Sequence, residues 1–297
     1  MERKQGIQDS FDSIELYQEA IRLLSPLLQM RDSKVVAACV LLCCLEIMSA
    51  RAHDWRRHLE GCTALFEAFG VHGFSSGILQ AVFWCYVRMD LCGALISDGT
   101  QSTLRRPEKW LAPDCHEEDA TRLFRAAQTP DMHANYAVYL CAKACELVSD
   151  RTQFVEMGAQ NDCSGDTFHR RWQRLWKDLQ QWIEDRPSEL LPVHTTATKP
   201  FHHILFLHWA AISSNQLYHT ACILLLNIKL KSIKLQSARY ESQVVFSVMS
   251  HEHTVVVDII RKIEAETGWG ACWRIRDLEQ AWGYQVSRRG LQSPDHG

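Results

Sequence analysis

The chain has 297 residues, of which 46% are hydrophobic, and it carries a formal net charge of −3 at pH 7. This length suits one large or two ordinary domains with a sizeable core, and this hydrophobic content excludes a disordered tail. The slightly negative charge argues against a domain that binds nucleic acid through a broad basic surface.

The first half of the chain predicts a run of helices. An amphipathic helix spans about residues 11–30, and Pro26 should kink or split it. Residues 35–48 and 78–96 are apolar on almost every face, which is typical of buried helices. Between them, residues 55–69 repeat apolar side chains three and four positions apart. The short loops between these three helices indicate up-down-up packing.

Glu46 and Arg88 are charges in the middle of the two apolar helices, where an unpaired charge is costly. In the up-down-up arrangement both residues lie about 17–18 Å along parallel helices, at about 1.5 Å per residue. We therefore predict a buried Glu46–Arg88 ion pair, with His58 or Asp90 as a third member of this buried polar cluster. The alternative is that Arg88 extends to solvent and Glu46 ends its helix exposed.

After a loop at residues 99–113, further helices are predicted. A capping box at residues 114–117 opens a helix that ends near residue 127. Thr129 and Pro130 form the next start signal, for a helix that reaches about residue 155. A glycine-rich linker then predicts a sub-boundary near residues 157–166.

Four helices complete the prediction, at residues 167–185, 200–228, 244–266 and 273–284. The second of these is uncharged and long enough to span a bilayer. Its central polar residues would be costly there, so we expect it to be buried in protein and expect no membrane association. Together these patterns predict a single all-α domain over residues 1–297, built as a superhelical stack of antiparallel helical hairpins.

The 12 cysteines do not predict disulfides. Most lie in apolar helical runs, where a free thiol behaves as a small hydrophobic group. The first 12 residues contain no apolar core of the kind that a secretory signal requires. We therefore expect free thiols in a reducing compartment, nuclear or cytosolic. Cys39/Cys43 and Cys141/Cys145 have i, i+4 spacing, but their apolar neighbours favour core packing over metal binding.

Three other patterns resemble chemical motifs. Residues 73–77 match G-x-S-x-G, but a nucleophile elbow needs a preceding strand, so we expect Ser75 to be an inert turn residue. The histidine groups lack the i, i+4 spacing of two zinc ligands on one helix; they are His202, His203 and His208, and His251 and His253. We predict no catalytic, cofactor-binding or metal-ligating residue.

The helix at residues 167–185 combines basic and aromatic residues, as single-stranded nucleic acid sites do. The basic residues are Arg170, Arg171, Arg174 and Lys177, and they alternate with Trp172 and Trp176. The tryptophans share a helical face with leucines, which indicates a core-facing stripe and a solvated basic face. A second basic segment is a weak nuclear import signal, and it contains Lys229, Lys231, Lys234 and Arg239.

Several short sequence segments, referred to below as words, occur in an order that resembles that of a known family. These words are VAACVLLCCLEIMSA, WRRHLEGC and FWCYVRMDLCGALISDGTQSTLRRPEKW, followed by FHHILFLHWAAISSNQLYHTACILLL and MSHEHTVVVDIIRKIEAETGWGACWRIRDLEQAWGY. From about Ile14 onward the chain is similar to the fungal-specific transcription factor domain, the regulatory region downstream of the binuclear zinc cluster in many fungal regulators.

The resemblance implies a nuclear, non-enzymatic transcription-regulatory domain that needs no cofactor. It implies contacts with protein partners, namely a full-length zinc-cluster relative or a second copy, and it leaves room for a small-molecule effector between helices.

The sequence departs from the family pattern in two places. It contains no C-x2-C, so we expect no DNA-binding domain and no direct nucleic acid binding. A short polar connection at residues 230–244 also stands where relatives carry more helical sequence. Three alternatives stay open: a truncated zinc-cluster regulator, a helical metal-binding protein or enzyme that uses its His and Cys residues, and a scaffold without a transcriptional role.

Overall fold

The computed structural model of the protein describes residues 11–30, 32–49, 52–96, 106–198, 202–229, 250–268, 270–283 and 285–286. These residues form ten α-helices and one short hairpin. The helices are α1 (Phe11–Leu24), α2 (Ser33–Ser49), α3 (Ala52–Phe69), α4 (Ile78–Ile96), α5 (Ala120–Ala126), α6 (Pro130–Met157), α7 (Gly165–Glu184), α8 (Trp209–Asn227), α9 (Ser250–Thr267) and α10 (Arg274–Trp282). The strands are β1 (His194–Thr196) and β2 (His203–Leu205). The predicted all-α class is confirmed, and the superhelical stack stays a prediction.

The chain divides into two compact units. The larger unit comprises residues 27–47 and 51–244, and the smaller one residues 1–26, 48–50 and 245–297. The smaller unit has its own apolar cluster of Val257, Ile275 and Val286. The predicted sub-boundary near residues 157–166 lies inside the larger unit, where α6 and α7 pack against each other.

Helix α6 is the central element of the larger unit, and α4, α5, α7 and α8 all pack against it. It begins as the sequence predicts, because the Thr129 side chain accepts a hydrogen bond from the Met132 amide and Pro130 occupies the first turn. It ends at Gly158, whose φ of 65° is left-handed and favours glycine. Buried residues such as Ala137 and Cys141 (both 0% exposed) make α6 the middle of the core.

Helices α2, α3 and α4 run up-down-up, as predicted. Side-chain contacts show these directions, because residues of increasing number along one helix contact residues of decreasing number along the next. The contacts are Cys43–Cys62 and Glu46–His58 between α2 and α3, and Phe66–Phe83 and Thr63–Tyr86 between α3 and α4. The loop after α3 is tied down by Gly73, whose amide donates to the Trp110 carbonyl at 2.8 Å.

Helix α4 is the described helix that is long and apolar enough to cross a bilayer, by length and composition, over Ile78–Leu95. Half of that window is buried inside the protein. Its side chains contact α3 through Phe83 and Tyr86 and α6 through Arg88. These contacts are typical of a core helix.

The uncharged helix predicted from residue 200 begins later, so that prediction is wrong at its start. Residues His203–Leu205 instead pair antiparallel with His194–Thr196, with Thr195 opposite Ile204. Helix α8 begins only at Trp209, after His208, whose Nδ1 accepts a hydrogen bond from the Ala210 amide at 3.2 Å. This side chain satisfies an amide that the helix leaves unpaired, which places the helix start at residue 209.

Two other helix starts and ends can be compared with prediction. Helix α1 ends at Leu24, and a 3₁₀ turn over Ser25–Leu27 contains Pro26, as expected for a proline that splits a helix. The capping box predicted at residues 114–117 is wrong by two positions. Asp119 Oδ2 instead accepts from the His116 amide at 3.2 Å, and a 3₁₀ turn over Glu117–Asp119 leads into α5.

Candidate functional site

The predicted polar cluster lies within the larger unit, and the structure divides it into three separate contacts. Glu46 on α2 pairs with His58 on α3. The side chain of Glu46 is 15% exposed and that of His58 is 45% exposed, so this pair lies at the edge of the packed region. His58 was expected as a third member, and the structure makes it the partner of Glu46.

Arg88 lies at the interface of α4 with α6. Its Nη1 donates to the Trp84 carbonyl at 2.9 Å, and its Nη2 donates to Asn135 Oδ1 at 2.6 Å. Burial lowers the pKa of the Arg88 guanidinium below its ordinary value. Its Nε is buried without a hydrogen-bond partner among the described residues. A buried cation is therefore held mainly by neutral oxygens.

Asp90 is on a third face of α4, where it is 2% exposed. The Tyr86 hydroxyl donates to Asp90 Oδ2 at 3.5 Å and also lies against the Thr63 hydroxyl of α3. Burial, followed by the nearby Asp90 charge, raises the pKa of Tyr86. This contact locks α3 against α4 through a neutral phenol.

Helix geometry explains why Arg88 meets Asn135 instead of the predicted partner Glu46. The height was predicted correctly, since Cys44 on α2 contacts both Cys85 and Met89 on α4. At about 3.6 residues per turn, however, Arg88 lies about 60° around α4 from Cys85. The α2-facing side of α4 therefore carries Cys85 and Met89, while Arg88 faces α6.

Thiol groups fill the contacts between these same helices. Cys43 Sγ on α2 lies 3.5 Å from Cys62 Sγ on α3, and Cys44 Sγ on α2 lies 3.7 Å from Cys85 Sγ on α4. The sequence drew attention to the i, i+4 pairs within single helices, whereas these close pairs join different helices. Consecutive cysteines at 43 and 44, on a helix flanked by two partners, are the signal that could have indicated them.

Asn135 is the second residue that sequence reasoning missed. It is 6% exposed and lies in the apolar stretch ANYAVYLCA of α6. A single amide in such a stretch needs a polar partner. A single amide in one apolar helix and a single arginine in another were therefore a usable signal that the two side chains pair.

The G-x-S-x-G match forms a turn between helices, as expected. Ser75 Oγ accepts a hydrogen bond from the His72 amide at 3.0 Å, and His72 Nδ1 accepts from the Phe74 amide at 3.2 Å. The hydroxyl is thus used to close the turn. The chemical inertness of Ser75 stays a prediction.

The histidines are dispersed in the described part of the chain. His202 and His203 are exposed, His208 caps α8, and His253 stacks on Trp282 in the smaller unit. The side chain of His251 lies outside the described residues, as does the basic segment after Lys229. Among the residues that the structure describes, no group of three or more His, Cys, Asp or Glu side chains is placed to hold a metal ion.

Helix α7 has the predicted core-facing tryptophan stripe. Trp172 is 1% exposed and donates from Nε1 to the Leu225 carbonyl at 2.8 Å, while Trp176 stacks on it. Arg171 pairs with Asp150 at 2.7 Å, and the other basic residues of the helix are exposed. The aromatic rings are used for packing against α8.

A small cavity lies between α5, α6 and α7. It is lined on one side by Arg125 and Asp185, paired at 2.7 Å, and on the other by Tyr136, His133 and Asp178. Burial raises the pKa of the Asp178 carboxyl and lowers that of the His133 imidazole. The cavity has a volume of about 20 Å³, which is room for about one water molecule. It is too small to hold an organic effector.

Comparison with known proteins gives one result. The model of the fungal specific transcription factor domain matches residues 8–256, which is most of the chain and includes α1 to α8. No curated protein and no solved structure matches the chain.

Proposed function

Because the chain belongs to the fungal-specific transcription factor domain family, a family of transcription regulators, we propose that it acts through contacts with protein partners and does not itself bind DNA. The observation that carries this proposal is the family match over residues 8–256. The partner is a regulatory domain of the same family, in a full-length zinc-cluster relative or in a second copy of this chain. The nucleus is the compartment in which such a contact would act.

An exposed apolar surface supports protein contacts. It surrounds the β1–β2 hairpin and the start of α8, and we call it the apolar hairpin surface. Its side chains are between 42% and 81% exposed, and they are Leu191, Val193, Ile204, Leu205, Leu207, Trp209 and Ile212. Concentrated exposed apolar area is typical of protein interaction sites. All six strand residues are exposed, and an isolated hairpin gains stability when something packs on it.

Charge supports the absence of DNA binding. The chain has a net charge of −3, and its sequence contains no C-x2-C spacing of the kind that a zinc cluster requires. On α7, the described helix with the most basic residues, Arg171 is already paired with Asp150 and Trp172 is packed inward. Phosphate neutralisation supplies most of the non-specific affinity for DNA, and a slightly negative net charge does not favour it.

A binding titration tests this part of the proposal. The purified chain of 297 residues is titrated against labelled duplexes drawn from a random-sequence pool after repeated selection, at physiological salt. We expect only background binding, with a Kd of about 10⁻⁴ to 10⁻⁶ M that weakens steeply with salt. Submicromolar, sequence-dependent binding would contradict the proposal.

A further inference from the structure

The thiols of Cys44 and Cys85 are positioned to react with each other. Their sulfur atoms lie 3.7 Å apart and join α2 to α4, and both residues belong to the larger unit. A disulfide requires an S–S distance of about 2.05 Å, so the two sulfurs must approach by about 1.7 Å. Side-chain rotation and a shift of either helix would have to supply that approach.

Access and ionisation single out Cys85 as the attacking thiol. Cys85 is exposed and Cys44 is partly exposed. The hydrogen bond from Cys44, followed by the nearby Arg88 charge, lowers the pKa of Cys85 to about 7 despite its partial burial. The lowered pKa favours the thiolate form of Cys85, and the thiolate is the reactive form. The hydrogen bond with Cys85 and burial raise the pKa of Cys44, so Cys44 stays a thiol until its partner is oxidised.

We propose that Cys44 and Cys85 form an oxidation site, at which a hydroperoxide converts the two thiols into a disulfide that links α2 to α4. The site is a modification site additional to the proposed regulatory function and does not rest on it. Hydrogen peroxide is the simplest oxidant of the required class.

The chemistry proceeds in two balanced steps. The Cys85 thiolate attacks one oxygen of the peroxide, the O–O bond breaks, and hydroxide leaves; Cys85 becomes a sulfenic acid. The Cys44 sulfur then attacks the Cys85 sulfur, the S–O bond breaks, and a second hydroxide leaves while Cys44 loses its proton. Overall, two thiols lose two electrons and two protons, and the peroxide becomes two waters.

The neighbouring pair Cys43 and Cys62 serves as an internal control. Its sulfur atoms are closer, at 3.5 Å, but the two residues are only 1% and 3% exposed. The hydrogen bond between them lowers the pKa of Cys43 and, with burial, raises that of Cys62, as in the Cys44–Cys85 pair, so access is what separates the two pairs. If proximity alone governed oxidation, this buried pair would react first; if access to the oxidant governs it, the Cys44–Cys85 pair reacts first.

The cross-link would have a defined structural effect. It joins two residues 41 positions apart, and the loop that it closes contains the whole of α3. Oxidation would therefore fix the register of α2 against α4 and restrict opening of the three-helix block.

Peptide mapping of the full chain tests the proposal. Reduced protein is freed of reductant, treated with hydrogen peroxide near stoichiometry, alkylated and digested without reduction. We expect a linked pair of peptides that contains Cys44 and Cys85, formed while the circular dichroism spectrum stays that of the folded protein. The linked pair should persist in Cys43→Ser and in Cys92→Ser, which removes another exposed thiol of α4.

Trapping of the intermediate tests the order of the two steps. In Cys44→Ser, which lacks the resolving thiol, Cys85 should stop at the sulfenic acid and be labelled by dimedone. In Cys85→Ser, Cys44 should not be labelled. The proposal is overturned if the folded protein forms no Cys44–Cys85 link, if Cys43–Cys62 forms first, or if the link appears only after unfolding.

Discussion

At the scale of single residues, Arg88 shows how a largely buried cation donates its hydrogen bonds to neutral oxygens among the described residues. Its two donated hydrogen bonds go to an amide oxygen and a main-chain carbonyl. Hydrogen bonds that involve a charged group are worth more than neutral ones, so Asn135 is the residue on which this arrangement depends. Sequence reasoning found the need for a partner and the correct height, but it could not find the direction in which Arg88 points.

A double-mutant cycle tests this assignment. Asn135→Ala should lower the free energy of unfolding by about 1.5–3 kcal/mol, since it leaves a buried guanidinium short of an acceptor. Adding Arg88→Met should recover part of that loss, and the two changes should be non-additive in urea denaturation. Glu46→Gln combined with Arg88→Met provides the matched control and should be additive within about 0.5 kcal/mol. A strongly non-additive effect of the Glu46 and Arg88 changes would contradict this assignment and support the predicted ion pair instead.

His133 gives the fold a pH-dependent contribution. Its Nε2 is 3.1 Å from the Trp182 carbonyl and its ring stacks on Trp182, while burial lowers the pKa of the imidazole. The unfolded chain, with a pKa of about 6.5, therefore binds a proton more readily than the folded chain. Stability is unaffected well above that pH and falls as the pH drops through and below it.

The corresponding prediction is that His133→Gln flattens this slope. The glutamine amide can donate to the same carbonyl but does not titrate, so its free energy of unfolding should decline less between pH 7 and pH 5 than that of the wild type. His203→Gln, at an exposed strand position, is the control and should keep the wild-type slope. Equal slopes for both variants would show that His133 is not the source.

At the scale of elements, the turn between α3 and α4 depends on a close approach at Gly73. A Cβ built there would lie 2.7 Å from the Trp84 ring and 2.9 Å from the Trp110 carbonyl. The Gly73 carbonyl also accepts from Trp84 Nε1 at 2.8 Å. The Trp84 side chain and the main-chain hydrogen bond from Gly73 to the Trp110 carbonyl therefore fix the turn, and neither can yield cheaply.

Gly73→Ala should accordingly destabilise the protein by roughly 1–3 kcal/mol, the usual cost of overpacking a core. Gly61→Ala is the matched control, because Gly61 lies within α3 and a Cβ there meets nothing within 4 Å. That change should stabilise the protein by about 0.5–1 kcal/mol. Thermal unfolding of both variants decides the matter, and a neutral Gly73→Ala would mean that the turn can relax.

Sequence periodicity and capping residues were sufficient to predict some of the helices but not the hairpin. The long apolar helices and the Thr129–Pro130 start were predictable, since both depend on local spacing and capping. The hairpin before α8 was not, because its strands are three residues each and its second strand, like the helix that follows, contains no Lys, Arg, Asp or Glu. The capping box near α5 was predicted two positions too early, because several acidic residues there, including Glu117 and Asp119, are equivalent candidates by sequence.

At the scale of the whole molecule, sequence predicted the all-α class, and the order of sequence words predicted the family to which the chain belongs. The candidate site was predicted only in part. The sequence pattern indicates which charged residues are buried. Their pairing depends on how each helix is rotated about its own axis, which the pattern does not give. The Cys44–Cys85 and Arg88–Asn135 contacts join residues 41 and 47 positions apart, and no local spacing rule reaches that far.

The central claim is that this chain regulates transcription through protein contacts. The most direct measurement tethers the full chain to an unrelated DNA-binding domain and records expression from a reporter that carries its site, in a fungal host. We expect expression to change severalfold from that of the tether alone. The double substitution Leu207→Glu and Trp209→Glu in the apolar hairpin surface should abolish the change. Met157→Glu, at an apolar position that is 78% exposed elsewhere, should leave it intact. Expression equal to that of the tether alone, at matched protein abundance, would contradict the account.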